Sequence, residues 1–150
     1  MSTITNDKEF RAALKDLDYT KQRLVAALLV EHVLSLSDDD RLKRVIKTAS
    51  DIDASTEELS NALKTAKATT FDSHARCGSE GNWTDQAGYF VARAAVAAVT
   101  PESQTKGGGP AWQAAMSSRM AQTSELIDSD DENPTDNQWQ YEILTNFLNL

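Results

Sequence analysis

Apolar residues in this chain recur three and four positions apart in every long segment, and nowhere do they alternate with polar ones. The first spacing belongs to one face of an α-helix, and alternation would mark a half-buried strand. The pattern therefore predicts an all-α fold: one compact bundle of about six to seven helices, a single domain over residues 1–150. A chain of 150 residues can bury roughly 70% of its unfolded surface, so it needs no metal or disulfide to stand alone. Self-similarity at a period of roughly 20–50 residues, the mark of a solenoid, is absent from the sequence.

The helices can be placed one by one. Phe10, Ala13, Leu14 and Leu17 share a face of the first. Asp18-Tyr19-Thr20 interrupts it, and Thr20 can cap a second helix running to about Ser37. Its stripe begins with Leu24, Ala27 and Leu28 and is broken by Glu31, with His32 next, but Leu24, Leu28 and Leu29 with Val25, Val33 and Leu36 still make a wide apolar surface, which places this helix near the middle of the bundle. Asp38-Asp39-Asp40 places carboxylates at the positive end of a third helix, whose stripe is Leu42, Val45, Ile46 and Ala49. Ser55 and Glu58 have capping-box spacing before a fourth helix. Its face is Leu59, Ala62, Leu63 and Ala66, continued by Thr70 or Phe71 and ended by Gly78 and Gly81. Thr84 caps a fifth, Asp85 to about Val99, so rich in alanine that neighbours can approach closely, which places it centrally. Thr100-Pro101 ends it. Pro110 suits the first turn of a sixth helix, with Ala111, Ala114, Ala115, Ser118 and Ala121 on one face. After an acidic loop at about 128–136, Pro134 opens a last helix in which Trp139, Ile143, Phe147 and Leu150 align.

Charge is distributed unevenly along this pattern. Residues 1–77 carry 12 basic and 13 acidic side chains, a net of −1, whereas residues 78–150 carry 3 basic and 10 acidic, a net of −7. Glu125, Asp128, Asp130, Asp131, Glu132 and Asp136 follow one another without a cation. Such a surface repels nucleic acid and anionic lipid and draws basic partners at salt-sensitive rates. Net charge of this sign also keeps copies apart in solution. The apolar run Gln86–Val99 falls short of the roughly 20 residues a membrane span needs. Residues 1–20 are too polar for a secretory signal. With a solitary Cys77 excluding an internal disulfide, the expectation is a cytoplasmic protein.

Catalytic or cofactor motifs are poorly represented. His74 and Cys77, three apart, share a helix face, with Asp72 and Glu80 nearby, but a structural zinc site needs four ligands and no second pair exists. Cys77 reads as a small buried hydrophobe rather than a nucleophile served by His32 or His74. Lys106-Gly107-Gly108-Gly109 has the glycines of a phosphate loop, yet its lysine precedes them and no strand leads in; it reads as an interhelical loop. Asn82-Trp83-Thr84 matches a glycosylation sequon, idle in a chain without a secretory signal. Residues 128–133 have calcium-loop ingredients without the spacing or the glycine. No cofactor and no metal are expected. Trp83, Trp112 and Trp139 stand beside apolar stripes as packing residues, and Trp139, next to the acidic loop, is also a candidate partner hot spot.

Several stretches taken together resemble a known family. They are Phe10–Leu14, Lys21–Ala27, Glu31–Leu34, the helix start Asp38-Asp39-Asp40-Arg41-Leu42 continuing to Ala49, the Ala-rich Ala92–Val99, and the closing Asn137–Leu144 with its Trp139-Gln140. In order and type they resemble the small all-helical immunity proteins of bacterial polymorphic toxin systems, the fifth-numbered immunity group and its relatives. The resemblance implies a non-catalytic, cytoplasmic inhibitor-like protein. In that role Asp128, Asp130, Asp131, Glu132 and Asp136, with Trp139, would cover a basic surface on a toxin or other protein partner. Asp51-Ile52-Asp53 stands where the family carries an aromatic, and no histidine follows His74, so no ligand or catalytic role carries over. Two other readings remain open from the residues: a self-associating helical adaptor, and a metal-dependent enzyme around His74 and Cys77.

Overall fold

Asn6 opens the first helix. Its side chain accepts a hydrogen bond from the Glu9 backbone N–H at 2.9 Å, while the Glu9 carboxylate takes the backbone N–H and hydroxyl of Thr5. The computed structural model describes residues 3–80, 83–105, 107–128 and 137–149, with side chains except at 76–80, 83–84 and 125–128. Among the described residues there are seven α-helices and no strand: α1 (Asp7–Lys15), α2 (Tyr19–Val33), α3 (Arg41–Ala49), α4 (Thr56–Glu80), α5 (Trp83–Val99), α6 (Gly109–Asp128) and α7 (Gln138–Leu148). Short 3-10 turns follow α2 and α5. The all-α bundle expected from periodicity is the fold observed.

α5 occupies the middle. It packs on α2, α3, α4 and α6, and Ala87, Val91, Ala92, Ala94, Ala95 and Ala98 are all solvent-inaccessible. Its neighbour α6 contributes Ala111, Ala114, Ala115, Ser118 and Ala121, all equally buried. With small side chains on both helices, α5 and α6 share the most extensive contact among the described helices. Larger residues fill the space around them: Phe10 and Leu14 from α1, Leu29 and Val30 from α2, Leu42 and Val45 from α3, and Leu144 from α7.

Local signals set most boundaries. The Ser55–Glu58 capping box forms reciprocally, Glu58 N–H to Ser55 Oγ and Ser55 N–H to Glu58 Oε1, each 3.0 Å. Asp18, rather than Thr20, caps α2 by accepting from Lys21 N–H. Asp39 serves α3 by accepting from Arg41 N–H, and its carboxylate also chelates the Arg41 guanidinium. α2 ends at Val33, and a 3-10 turn carries the chain to Leu36. α4 runs on to Glu80 with Gly78 inside it, and α5 begins at Trp83, so Thr84 lies in its first turn.

The glycine loop is more constrained than an interhelical connection requires. Gly108 and Gly109 have φ of +91° and +86°, a region L side chains seldom adopt. A β-carbon on Gly108 would lie 2.4 Å from the Trp112 ring, and one on Gly109 would lie 2.2 Å from Gln22 Oε1. The Gln22 amide N–H groups in turn bond the carbonyls of Leu14 and Leu17. These glycines let the start of α6 press against the α1–α2 turn.

Three helices depart in part from the inward face their spacing suggested. In α2 the buried set is Arg23, Val25, Ala26, Ala27, Leu29, Val30 and Val33, and Leu28 is 39% exposed. In α7 the buried residues are Gln140 and Leu144, while Trp139, Ile143 and Phe147 pack at the edge. In α4, Ala62, Ala66, Thr69 and Ser73 face the core and Phe71 is 73% exposed.

Candidate binding surfaces

The position of α7 depends on a polar cluster that joins both ends of the chain. Arg119 on α6 donates Nη1 and Nη2 to the two Asp7 oxygens at 2.9 and 2.7 Å. Its Nε donates to Gln140 Oε1 at 2.7 Å. The Gln140 amide N–H then reaches the Ala115 carbonyl at 3.0 Å, so a fully buried glutamine has both ends satisfied. Tyr141 O–H donates to Asp7 Oδ1 at 2.8 Å. The Arg119 bond, first among the causes, and the Tyr141 bond hold the Asp7 carboxyl below its usual range, against a smaller opposing effect of burial. Burial, then the bond to Asp7, pushes the Tyr141 phenol up, which keeps it a neutral donor. Phe10 packs on Tyr141 at 5.6 Å and on Trp112 at 6.1 Å between ring centroids. The Arg11 guanidinium covers Trp112 at 4.6 Å, inside cation–π range. These contacts are structural, and they fix how α7 lies against α2 and α6.

With α7 so held, Trp139 meets α2. Its ring stacks on His32 with centroids 4.1 Å apart and planes 12° from parallel, and its indole N–H donates to Gln122 Oε1 at 3.1 Å. Trp139 is therefore half-buried with its polar atom used, and one edge of the stack remains at the surface. Beside it a shallow depression is lined by Leu28, Glu31 and His32 from α2 and by Ile143, Asn146 and Phe147 from α7. Leu28 is exposed there. The interruption of the α2 stripe at Glu31 and His32 thus marks a surface, not a flaw in the core. Of the acidic residues expected to meet a partner, Asp128 ends α6 with its side chain undescribed, and Asp130, Asp131, Glu132 and Asp136 lie outside the described residues.

A second and deeper concavity lies between α4, α5 and α6. It holds about 620 Å³, and Lys67, Phe71, His74 and Arg93 are among the residues that line it. His74 faces Tyr89 at 5.6 Å. The Cys77 side chain is outside the described set, so the pairing of His74 with Cys77 has no described geometry. Among the described residues no three His, Cys, Asp or Glu side chains come together as metal ligands. Nor, among them, is any helix long and apolar enough to cross a membrane. No signal in the sequence singled out this groove, because its cations and rings come from separate helices and each resembles an ordinary surface residue.

Comparison of the chain with known protein families, with curated proteins and with solved structures finds no match.

Proposed function

We propose that this chain is a non-catalytic protein-binding module of the immunity or inhibitor kind, acting in the cytoplasm on a basic protein partner. The contact surface is the strip formed by α2 and α7 around the His32–Trp139 stack. The acidic residues that precede α7 in the sequence steer the partner toward it. The observation that carries the reading is the strip itself: a half-buried tryptophan with its N–H satisfied, beside a depression lined by Leu28, at 39% exposure, and by Ile143, Phe147 and Glu31. Aromatic anchors beside apolar residues and ringed by charge are the usual core of a protein interface. The resemblance to immunity proteins supplies the kind of partner, and the net charge of −8 supplies its sign.

The test is association kinetics with the purified product of a neighbouring toxin gene. Converting Asp130, Asp131 and Glu132 to neutral residues should slow association more than it speeds dissociation, and the effect should shrink as salt rises. Trp139→Ala should act mainly on dissociation and weaken binding by about ten-fold or more. An on-rate indifferent to both the charge changes and salt would remove the steering role. Exposed Leu28 also favours a second reading, pairing of two copies through the same strip. A mass that rises with concentration in the native chain and stays monomeric in Leu28→Asp would select it.

A further inference from the structure

The groove between α4, α5 and α6 carries a charge opposite to that of the chain. The cationic or ionisable side chains in its lining are Lys67 and His74 from α4 and Arg93 from α5, and no carboxylate is among the described residues that line it. The chain as a whole has a net charge of −8, so a wall with cations alone is not a sample of the average surface. The described carboxylate nearest in sequence on α4, Asp72, is engaged by Arg41 at 2.9 Å. Among the described residues neither Lys67 nor Arg93 has an ion-pair partner. Arg93 lies over the Tyr89 ring at 5.8 Å, which orients the guanidinium without neutralising it.

The remainder of the groove is suited to a ring. Tyr89 lies tilted against His74, and Phe71 stands 73% exposed at the rim. Val96, Ala97 and Pro110 give the lining its apolar part, and the Thr70 and Thr100 hydroxyls are turned to the Ala66 and Val96 carbonyls four residues back in the chain. Lys67 and His74 are seven residues apart, about 10 Å along α4 at the helical rise. That span matches a one- or two-ring molecule, and a volume of about 620 Å³ falls in the range of small-molecule sites, roughly 300–1,000 Å³. A large exposed phenylalanine beside unpaired cations gains both apolar burial and charge pairing when one ligand supplies a ring and an anion.

We propose that this groove binds a small aromatic anion, its carboxylate or phosphate held by Arg93 and Lys67 and its ring lodged between Phe71, Tyr89 and the Val96–Ala97 part of the lining. The site is built from helices other than α2 and α7, so it stands or falls separately from the protein-binding strip.

The experiment is amide-resolved NMR titration of the full chain with four probes: phenyl phosphate, benzoate, benzyl alcohol and inorganic phosphate. Phenyl phosphate or benzoate should shift amides within residues 67–74, 89–100 and 110–117, and the tighter of the two identifies the anionic group. Benzyl alcohol, without the charge, and inorganic phosphate, without the ring, should each bind about ten-fold more weakly than the better aromatic anion. Arg93→Gln should weaken that anion by about ten-fold while leaving the circular dichroism unchanged. Should Arg93→Gln misfold, Lys67→Gln and Ala97→Phe provide the same reading, the first by removing a cation and the second by filling the groove. Equal binding of benzyl alcohol, equal binding of inorganic phosphate, shifts centred elsewhere, or a folded charge variant that binds as well as the parent would each overturn the proposal.

Discussion

The α3–α4 side of the bundle and the α1–α6–α7 junction are held together in different ways. On the first side the work is done by an apolar stripe and by local caps. Leu42, Val45, Ile46 and Ala49 are buried on α3, the Ser55–Glu58 box starts α4, and Arg41 bridges Asp39 and Asp72 at the surface. At the junction, residues more than a hundred positions apart meet through Arg119, Asp7, Gln140 and Tyr141. Arg23 is a smaller case of the same kind: buried on α2, it donates to the carbonyls of Ala49, the last residue of α3, and of Asp51 just past it. Apolar packing tolerates neighbours of many shapes, but a buried amide or guanidinium is stable only where its particular partners are present. The junction is therefore the more specific of the two and the less forgiving of a lost partner.

The largest expected effect falls on the apolar side. Leu42→Ala should cost about 2–5 kcal/mol, read as a lower midpoint in urea unfolding, because α3 and α4 cannot close over the cavity. Arg119→Ala should cost about 1–3 kcal/mol, since it leaves the buried Gln140 oxygen without a donor. A cost near zero would break the comparison, by showing that Phe10 and Leu144 hold the junction unaided. Arg119→Ala combined with Gln140→Leu should recover part of the loss, because the orphaned polar group goes with its partner. Ser55→Ala should cost about 1 kcal/mol, the ordinary value of an N-cap, and should leave the junction untouched.

The smallest effect is on pH dependence. Asp7 has a folded-state pKa below its unfolded value, chiefly through the Arg119 hydrogen bond. Its contribution is complete above the ordinary carboxylate range of about 4 and is lost as pH falls through the lower folded value. Asp7→Asn should therefore flatten the acid side of the stability curve below about pH 4 and leave its slope at neutral pH unchanged. Asp7 is nearly half exposed, so water screens the pair and the change should be small.

How much was legible varied with how one-sided each helix is. α3 alternates a four-residue apolar stripe with Arg41, Lys43, Arg44 and Lys47, so only one face could go inward, and that face did. α2 is apolar on most of its circumference. Its period was visible, but its phase was not: of the wide apolar surface that includes Leu24, Val25, Leu28, Leu29 and Val33, the core took Val25, Leu29 and Val33 and left Leu24 half-buried and Leu28 exposed. α7 misled for another reason: hydropathy assigns Gln140 to solvent, and only Arg119 and the Ala115 carbonyl make its burial favourable. Of the proposed contact strip, Trp139 was named from the sequence and lies half-buried in a stack with His32, which follows the interruption at Glu31. The groove between α4 and α6 was not foreseen, because Lys67 and Arg93 become a site only when two helices bring them to one opening.

By itself the sequence determined the helices, most of their boundaries, the alanine-lined centre and the sign of the charge. These depend on neighbours within one or two turns, where side-chain spacing and capping chemistry act directly. The tertiary structure alone decided which side of α2 and α7 lies inward, why Gly108 and Gly109 stand where they do, and which polar groups are satisfied in the core. It also decided that a chain with a net charge of −8 carries a concave surface lined by cations. Each of these depends on contacts between residues far apart in the chain, and no local pattern specifies a partner that only folding brings near.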